Sequence, residues 1–157
     1  MLQVSSFEQL YEVMSNLHDC PFDFDRAVFD ASTGTWRGAF LRPLWDDPRA
    51  EHQGLTLVYL RSRLPVVEAF LTINGVKNYS IVDDQGIGRY SVSEVEQIPH
   101  GVRLSFNEAL HLEFEFAGSM SATYDEQPVP GICAIYRQYF LIQTGPEITP
   151  VLETDPG

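Results

Sequence analysis

The sequence predicts an α+β fold that is predominantly antiparallel β, with an N-terminal helix packed on a meander sheet that curls into a sandwich or half-barrel. Three observations support this class. Apolar residues near the N-terminus recur with helical spacing, and from residue 22 onward apolar and polar residues alternate. Glycine, proline and Asn-Gly signals separate the alternating segments at short intervals, as in successive hairpins.

One amphipathic helix is predicted over residues 6–17. A serine, Ser5 or Ser6, can cap its first turn, and Glu8 or Gln9 stands three residues later to complete a capping box. The apolar side chains at 3-4-3 spacing should form the face that packs on the sheet: Phe7, Leu10, Met14 and Leu17.

Pro21 is expected to end this helix, because the residue before a proline is disfavoured in the α region. Residues 22–28 and 35–41 then alternate as two strands, joined by a turn over residues 30–34. Residues 43–53 contain two prolines and no periodicity, which predicts a loop.

Residues 55–60 are apolar on both faces, which predicts a central strand, and Pro65 predicts a bend or bulge after it. Residues 66–73 and 76–82 flank Asn74-Gly75, the strongest hairpin signal in the chain, since a type I′ turn needs positive φ at both central residues. A second turn is predicted over residues 83–88.

Residues 102–106 and 110–116 alternate as two further strands with one face exposed to water. Residues 127–131, with two prolines, are predicted as a connector. Residues 93–98 fit a strand or a short helix. Residues 132–142 fit helical spacing, but their β-branched and aromatic content favours a strand.

Length and composition fit one globular domain over residues 1–145, followed by a frayed tail over residues 146–157. The longest uninterrupted apolar run is five residues, far below the roughly 18 to 20 of a membrane-spanning helix. The N-terminus lacks the basic and apolar regions of a secretory signal. Two distant cysteines, Cys20 and Cys133, are expected to be reduced and buried. We therefore expect a cytoplasmic location.

The charge is strongly acidic, with 22 Asp and Glu against ten Lys and Arg, a formal net charge of −12. Residues 80–157 carry −9 of this charge, and the basic residues are scattered. A nucleic acid or an anionic membrane would require a concentrated basic patch, so both are disfavoured as partners. A basic protein partner is compatible with the charge, although solubility explains the same charge equally well.

His18 and Cys20 are two soft ligands in one turn, but a structural zinc site needs four, at short paired spacing. We therefore expect neither a metal nor a cofactor. Cys20 could act as a nucleophile only beside a histidine, and a buried inert thiol is the more common state. Residues 83–88 superficially resemble calcium and phosphate loops but lack their spacing, and a hairpin turn explains them.

Two pairs of carboxylates alternate along strands, Asp23 with Asp25 and Glu113 with Glu115. Such pairs could perform acid–base chemistry on a glycoside or hold a hard cation. Alternating acids are more often the solvated face of a strand.

The loop over residues 43–53 contains the best candidate binding residues: Trp45, Asp46, Asp47, Arg49 and His52. Tryptophan and arginine are enriched at binding hot spots. The alternative is that Trp45 anchors the loop in the protein's own core.

Three hypotheses about function follow. The first is a non-enzymatic, acidic protein-binding module of inhibitor or immunity type. The second is a small hydrolase or ligand-binding barrel with converging polar groups drawn from Asp23, Asp25, His52, His111, Glu113 and Glu115. The third is a structural or assembly protein, which would expose an apolar patch or an edge strand.

Overall fold

The computed structural model describes residues 1–56, 59–83, 90–107, 110–139 and 142–150, and at residues 55, 56, 59 and 83 it describes the backbone alone. These residues form one helix and nine strands: β1 (Leu2–Val4), α1 (Phe7–Asn16), β2 (Pro21–Asp30), β3 (Thr35–Pro43), β4 (Glu51–Thr56), β5 (Tyr59–Asp83), β6 (Tyr90–Ile98), β7 (Gly101–Phe106), β8 (Leu110–Tyr139) and β9 (Ile142–Pro150). The predicted fold class, predominantly antiparallel β with an N-terminal helix, is confirmed.

The described strands pair in the order β1-β8-β7-β6-β2-β3-β5-β4, with β9 paired to β8 and a further pairing between β8 and β5. The described part of the chain contains no helix with the length and apolar character that a bilayer crossing requires.

The contacts group the chain into two compact units. The first unit comprises Met1–Leu41 and Ala69–Glu126, and the second comprises Arg42–Glu68 and the described residues from Gln127 onward. The single domain over residues 1–145 stays a prediction.

Within the first unit, the strand order returns to its starting point. The pairings run from β8 through β7, β6, β2, β3 and β5 and back to β8. Where β3 adjoins β5, Val76 N of β5 donates to the carbonyl oxygen of Gly34, the residue before β3, at 2.9 Å. At the β5–β8 side, Asn78 Nδ2 donates to Glu115 Oε2 at 2.6 Å. A ring of strands leaves few edges exposed to other chains.

The core of the first unit is aromatic. Phe22 of β2 stacks on Phe106 of β7 with ring centroids 4.6 Å apart and lies 5.0 Å from Phe40. Trp36 meets Phe114 of β8 edge to face at 5.1 Å. Each such pair contributes about 0.5–1.5 kcal/mol beyond its buried area. These aromatic contacts therefore link β2, β3, β7 and β8 through the core.

Helix α1 confirms the predicted element and its apolar face. Ser6 is the N-cap, and its Oγ accepts a hydrogen bond from Gln9 N at 3.3 Å. The Gln9 side chain accepts from Ser5 N at 2.8 Å, so the capping is shared between both serines. Along the predicted stripe Phe7 is half-buried, and the remaining residues are buried: Leu10, Met14 and Leu17.

The helix ends earlier than predicted. Its last residue is Asn16, with Leu17 as the C-cap, and Asp19 has a left-handed φ of 61°. Pro21 is the first residue of β2 and does not terminate the helix. The reason is that Leu17 is buried and its carbonyl accepts from Cys20 N at 2.9 Å, which turns the chain before the proline.

The hairpin predicted at Asn74-Gly75 is wrong, because both residues lie inside β5. A type I′ turn needs positive φ at both positions, and of the two only Gly75 has it, with φ of 76°. A single left-handed glycine inside a strand is typical of a β-bulge. The next residue, Val76, is hydrogen-bonded to the turn between β2 and β3, so the strand continues.

The central strand predicted over residues 55–60 is also wrong. Residues 57 and 58 lie outside the described residues. Thr56 ends β4, Tyr59 begins β5, and these two residues pair with each other, so the described residues of 55–60 belong to two different strands. Strand β4 stands at one end of the sheet order. Pro65, predicted as a bend, lies within β5, where its carbonyl accepts from Leu44 N at 2.9 Å.

The connector predicted over residues 127–131 is part of the continuous strand β8. The ladder with β1 ends at Tyr124 and the ladder with β9 starts at Ile132, so the two prolines lie where neither ladder needs an N–H donor. Residues 93–98 and the described residues of 132–142 are strands. In the predicted frayed tail, residues 146–150 belong to β9 and residues 147–150 pair with β8, while residues 151–157 lie outside the described part.

Gly101 is predicted to be essential for the pairing of β7 with β8. A Cβ at this position would lie 1.9 Å from the backbone oxygen of Phe114, so Gly101→Ala must push the two strands apart. We expect a loss of about 1–3 kcal/mol in the free energy of unfolding, measured by urea denaturation.

Gly118→Ala is the matched control, because a Cβ there meets nothing within 4 Å. It should leave stability unchanged or slightly raised. Equal losses in the two variants would contradict the steric explanation.

Candidate functional site

The segment between β3 and β4 carries most of the predicted binding residues and is shorter than predicted. Residues 44–50, called the Trp45 loop here, connect Pro43 at the end of β3 to Glu51 at the start of β4. The loop belongs to the second unit. Its first amide, Leu44 N, is fixed to β5 through Pro65 O, and Ala50 N donates to Asp47 O at 2.8 Å.

Asp47 and Arg49 form a bidentate ion pair inside the Trp45 loop. Asp47 Oδ1 accepts from Arg49 N at 2.8 Å and from Arg49 Nε at 2.9 Å, and Asp47 Oδ2 accepts from Arg49 Nη2 at 2.9 Å. These hydrogen bonds, with the side-chain bonds contributing most, lower the pKa of Asp47 from 3.8 to about 2. The Asp47 side chain is only 15% exposed, whereas that of Arg49 is 74% exposed. The pair fixes the loop and still presents a cation to solvent.

Trp45 is exposed and does not anchor the loop in the core. Its ring lies 4.6 Å from that of Tyr136, centroid to centroid, and 44% of the residue stays exposed. Asp46 beside it is exposed as well. The loop therefore presents an aromatic ring, a carboxylate and a guanidinium from a hydrogen-bonded backbone.

His52, the fifth predicted residue, is not in the loop. It lies in β4 in register with Ser62 of β5, and its Nδ1 is 2.9 Å from the Ser62 Oγ. Ser62 is buried, so this contact gives its hydroxyl a hydrogen-bond partner in place of water. The loop predicted over residues 43–53 is thus wrong at its C-terminal end, because residues 51–53 are paired with β5.

The His18-Asp19-Cys20 turn has a structural explanation. His18 Nδ1 lies 3.0 Å from Asp19 Oδ2 on the surface, while Cys20 is buried and is not in a disulfide. Among the described residues, no group of three or more histidine, cysteine, aspartate or glutamate side chains could hold a metal ion. The turn predicted over residues 83–88 lies outside the described residues except for the backbone of Asp83.

The predicted carboxylate pairs lie on strands that are not neighbours. Asp23 and Asp25 are in β2, whereas Glu113 and Glu115 are in β8, with β7 and β6 between them in the sheet order. His111 is also on β8 and contacts the buried Ser105 hydroxyl at 3.0 Å. His52 lies in the other unit. The geometry within the first unit does not bring the β2 and β8 carboxylates together.

Glu113 and Glu115, the two predicted glutamates of β8, both have partners. Arg103 Nε donates to Glu113 Oε1 at 2.8 Å, and Arg103 Nη1 donates to Glu96 Oε2 at 3.1 Å. These three residues are in register across β6, β7 and β8. Glu115 accepts from Asn78. The sequence predicted the alternation of β7 and of the first part of β8, but it left residues 93–98 undecided and could not give the register, so it missed this ion-paired row.

Comparison with protein-family models, with curated proteins and with solved structures found no match to this chain.

Arg49 is predicted to control the titration of Asp47. The pKa of Asp47 is lower in the folded than in the unfolded chain. The pair therefore stabilises the loop fully above pH 3.8, and this stabilisation is lost as the pH falls toward about 2. In Arg49→Ala, the pKa of Asp47 should rise toward 3.8, since the largest cause of its depression is removed. The titration of the Asp47 side-chain carboxyl by ¹³C NMR measures this.

Arg61→Ala removes a cation from the same unit without touching the pair and is the control. A pKa of Asp47 that is the same in Arg49→Ala and in the wild type would contradict the assignment.

Proposed function

We propose that this chain is a non-enzymatic protein-binding module and that the Trp45 loop contacts its partner. The observation that carries the proposal is the exposure of Trp45 on a loop whose backbone is held by its own hydrogen bonds. A loop that is ordered before binding loses little conformational entropy in the complex, so more of the contact energy contributes to affinity.

The composition of the loop supports recognition of a protein surface. Tryptophan and arginine dominate hot spots because each combines a large apolar contact area with a polar group. Trp45 is half-exposed, and the guanidinium of Arg49 is already oriented by Asp47. Asp46 adds an exposed carboxylate next to the ring.

The overall charge supports a basic partner. A net charge of −12 attracts cationic proteins over distances of about a Debye length, which raises association rates at low salt. The same charge disfavours nucleic acid as a partner. The proposed location is the cytoplasm, where reducing conditions suit two buried cysteines that form no disulfide in the described residues.

Trp45→Ala is predicted to weaken partner binding by about 2 kcal/mol, or roughly thirtyfold in Kd, as expected for a hot-spot aromatic residue. The immobilised wild-type chain captures the partner from cell extract, mass spectrometry identifies it, and calorimetry with the purified partner gives the Kd.

Asp46→Asn should mainly lower the association rate and its salt dependence, because an exposed charge at the edge of an interface acts chiefly on encounter.

Tyr11→Ala is the matched control, since Tyr11 is an aromatic residue of similar exposure on α1 in the first unit. Trp45→Phe keeps a ring against Tyr136 and should retain part of the affinity. If the captured protein binds Trp45→Ala as tightly as it binds the wild type, the Trp45 loop is not the contact surface.

A further inference from the structure

Two apolar side chains lie exposed next to each other where β8 ends and β9 begins, in the second unit. Tyr139 is the last residue of β8, Ile142 is the first residue of β9, and the two residues are directly paired. Tyr139 is 47% exposed and Ile142 is 66% exposed. Opposite residues of an antiparallel pair project to the same face, so these side chains form one apolar surface. We call it the Tyr139–Ile142 pair.

The sequence around this pair carries no charge. None of residues 138–146 is acidic or basic, and the run from Tyr139 to Ile142 is apolar throughout. The residues between the two are Phe140 and Leu141, which lie outside the described residues. Residues between two paired strands are usually glycine, asparagine or aspartate. A protein surface generally excludes exposed apolar runs unless they serve binding, so this composition indicates a contact surface.

The strands that carry the pair are fixed close behind it. Arg137 Nη1 donates to Glu147 Oε2 at 2.6 Å, and Thr144 Oγ1 donates to Arg137 O at 3.3 Å. Gly145 has a left-handed φ of 125°, and a Cβ there would lie 2.7 Å from Ile135 O, so β9 lies close against β8. The two side chains are therefore positioned before any contact forms, which reduces the entropy lost on binding.

The surface that covers the pair should be apolar and uncharged. Arg137 and Glu147 are the charged residues that flank the uncharged stretch in the sequence, and they bond to each other. A charged group on the other side of the contact would lose its hydration and find no opposite charge among residues 138–146. Apolar contact is therefore the interaction that this surface can offer.

Area argues against a second copy of the chain as the occupant. Two partly exposed side chains of this size offer at most about 300 Å², whereas a stable interface buries about 800 Å² on each partner. In a two-fold contact the same pair would meet itself, and two strand ends placed against each other enclose neither pair. A concave pocket covers both side chains on several sides and buries them together.

Charge argues against a lipid surface. Anionic lipids give membrane surfaces a negative potential, and proteins that bind them present clusters of lysine or arginine. The chain has a net charge of −12, and residues 138–146 contribute no basic side chain. The approach to such a surface is therefore repulsive. A pocket in another protein is the occupant that both the area and the charge allow.

We propose that the Tyr139–Ile142 pair inserts into an apolar, uncharged pocket of a partner protein. The inference rests on the proposed function in one respect, that the chain binds a protein, but it assigns a second contact surface. Tyr136, which contacts Trp45, stands three positions before Tyr139 in β8. Side chains alternate along a strand, so Tyr136 and Tyr139 project to opposite faces. The pair is therefore distinct from the Trp45 loop.

The test uses the intact chain and the purified partner from the capture experiment. Ile142→Thr removes apolar surface but keeps a β-branched residue that suits a strand. Calorimetry should show an affinity at least about fivefold lower. The heat capacity change of binding should become less negative, because less apolar surface is buried. The loss should be equal at low and high salt, since no charge takes part in the contact.

Ile81→Thr is the matched control, because it makes the same substitution at an exposed isoleucine of β5 in the first unit. It should leave the affinity for the partner unchanged. Ile142→Val keeps most of the apolar surface and should retain most of the affinity. Urea denaturation of each variant measures whether a loss of binding reflects a loss of folding.

Comparison with Trp45→Ala separates this inference from the proposed function. Weak binding by Trp45→Ala together with wild-type binding by Ile142→Thr overturns the inference and leaves the proposed function intact. Weak binding by Ile142→Thr alone supports the inference and removes the Trp45 loop from the contact. A chain that captures no protein overturns the proposed function and this inference with it.

Two further measurements test the other occupants. Co-sedimentation with phosphatidylcholine vesicles, with or without phosphatidylserine, that Ile142→Thr abolishes would assign the pair to a lipid surface and overturn the inference. A dimer in sedimentation equilibrium that Ile142→Thr dissociates would assign the pair to a second copy and overturn it equally. We expect a monomer that leaves both kinds of vesicle in the supernatant.

Discussion

The ring of strands in the first unit depends on the contact between Trp36 of β3 and Phe114 of β8. In the strand order these two strands flank β5, and β5 contributes Tyr79, whose ring stacks on Phe114 at 5.3 Å. The three aromatic residues therefore join the strands on both sides of β5. Gly38 makes room for this arrangement, because a Cβ there would lie 2.3 Å from the Trp36 ring. The fold thus requires a glycine at one position and an aromatic residue two positions earlier on the same strand.

The same constraint explains why the local turn signal at Asn74-Gly75 does not produce a turn. Asn74-Gly75 has the composition of a type I′ turn, yet Val76 is hydrogen-bonded to Gly34 and Tyr79 packs on Phe114, so long-range contacts keep the chain extended. Alternation, in contrast, was a reliable guide in β7 and the first part of β8, because there one face of each strand is buried and the period of two follows directly. Local propensity decides a turn only where no tertiary contact competes with it.

Some features of the candidate site follow from its residue types, whereas others depend on the geometry of the folded chain. Composition drew attention to a segment with a tryptophan, three acids and an arginine, but it could not predict the pairing of Asp47 with Arg49, which depends on the geometry of the loop. His52 was assigned to the same loop because no apolar alternation marks the edge strand β4, whose described side chains are exposed.

The two units differ in their balance of charge. Residues 42–68 and 127–157 carry seven acidic and five basic residues, so the Trp45 loop lies in a unit of nearly balanced charge. Its contribution to binding should come from the exposed ring and from hydrogen bonds, which salt screens weakly. The first unit has an excess of ten acidic residues, and its attraction for a cationic partner would act mainly on the rate of encounter. Under the proposed function, a basic partner would therefore associate in a salt-dependent manner, while the time for which it stays bound to the Trp45 loop would be governed by the aromatic contact.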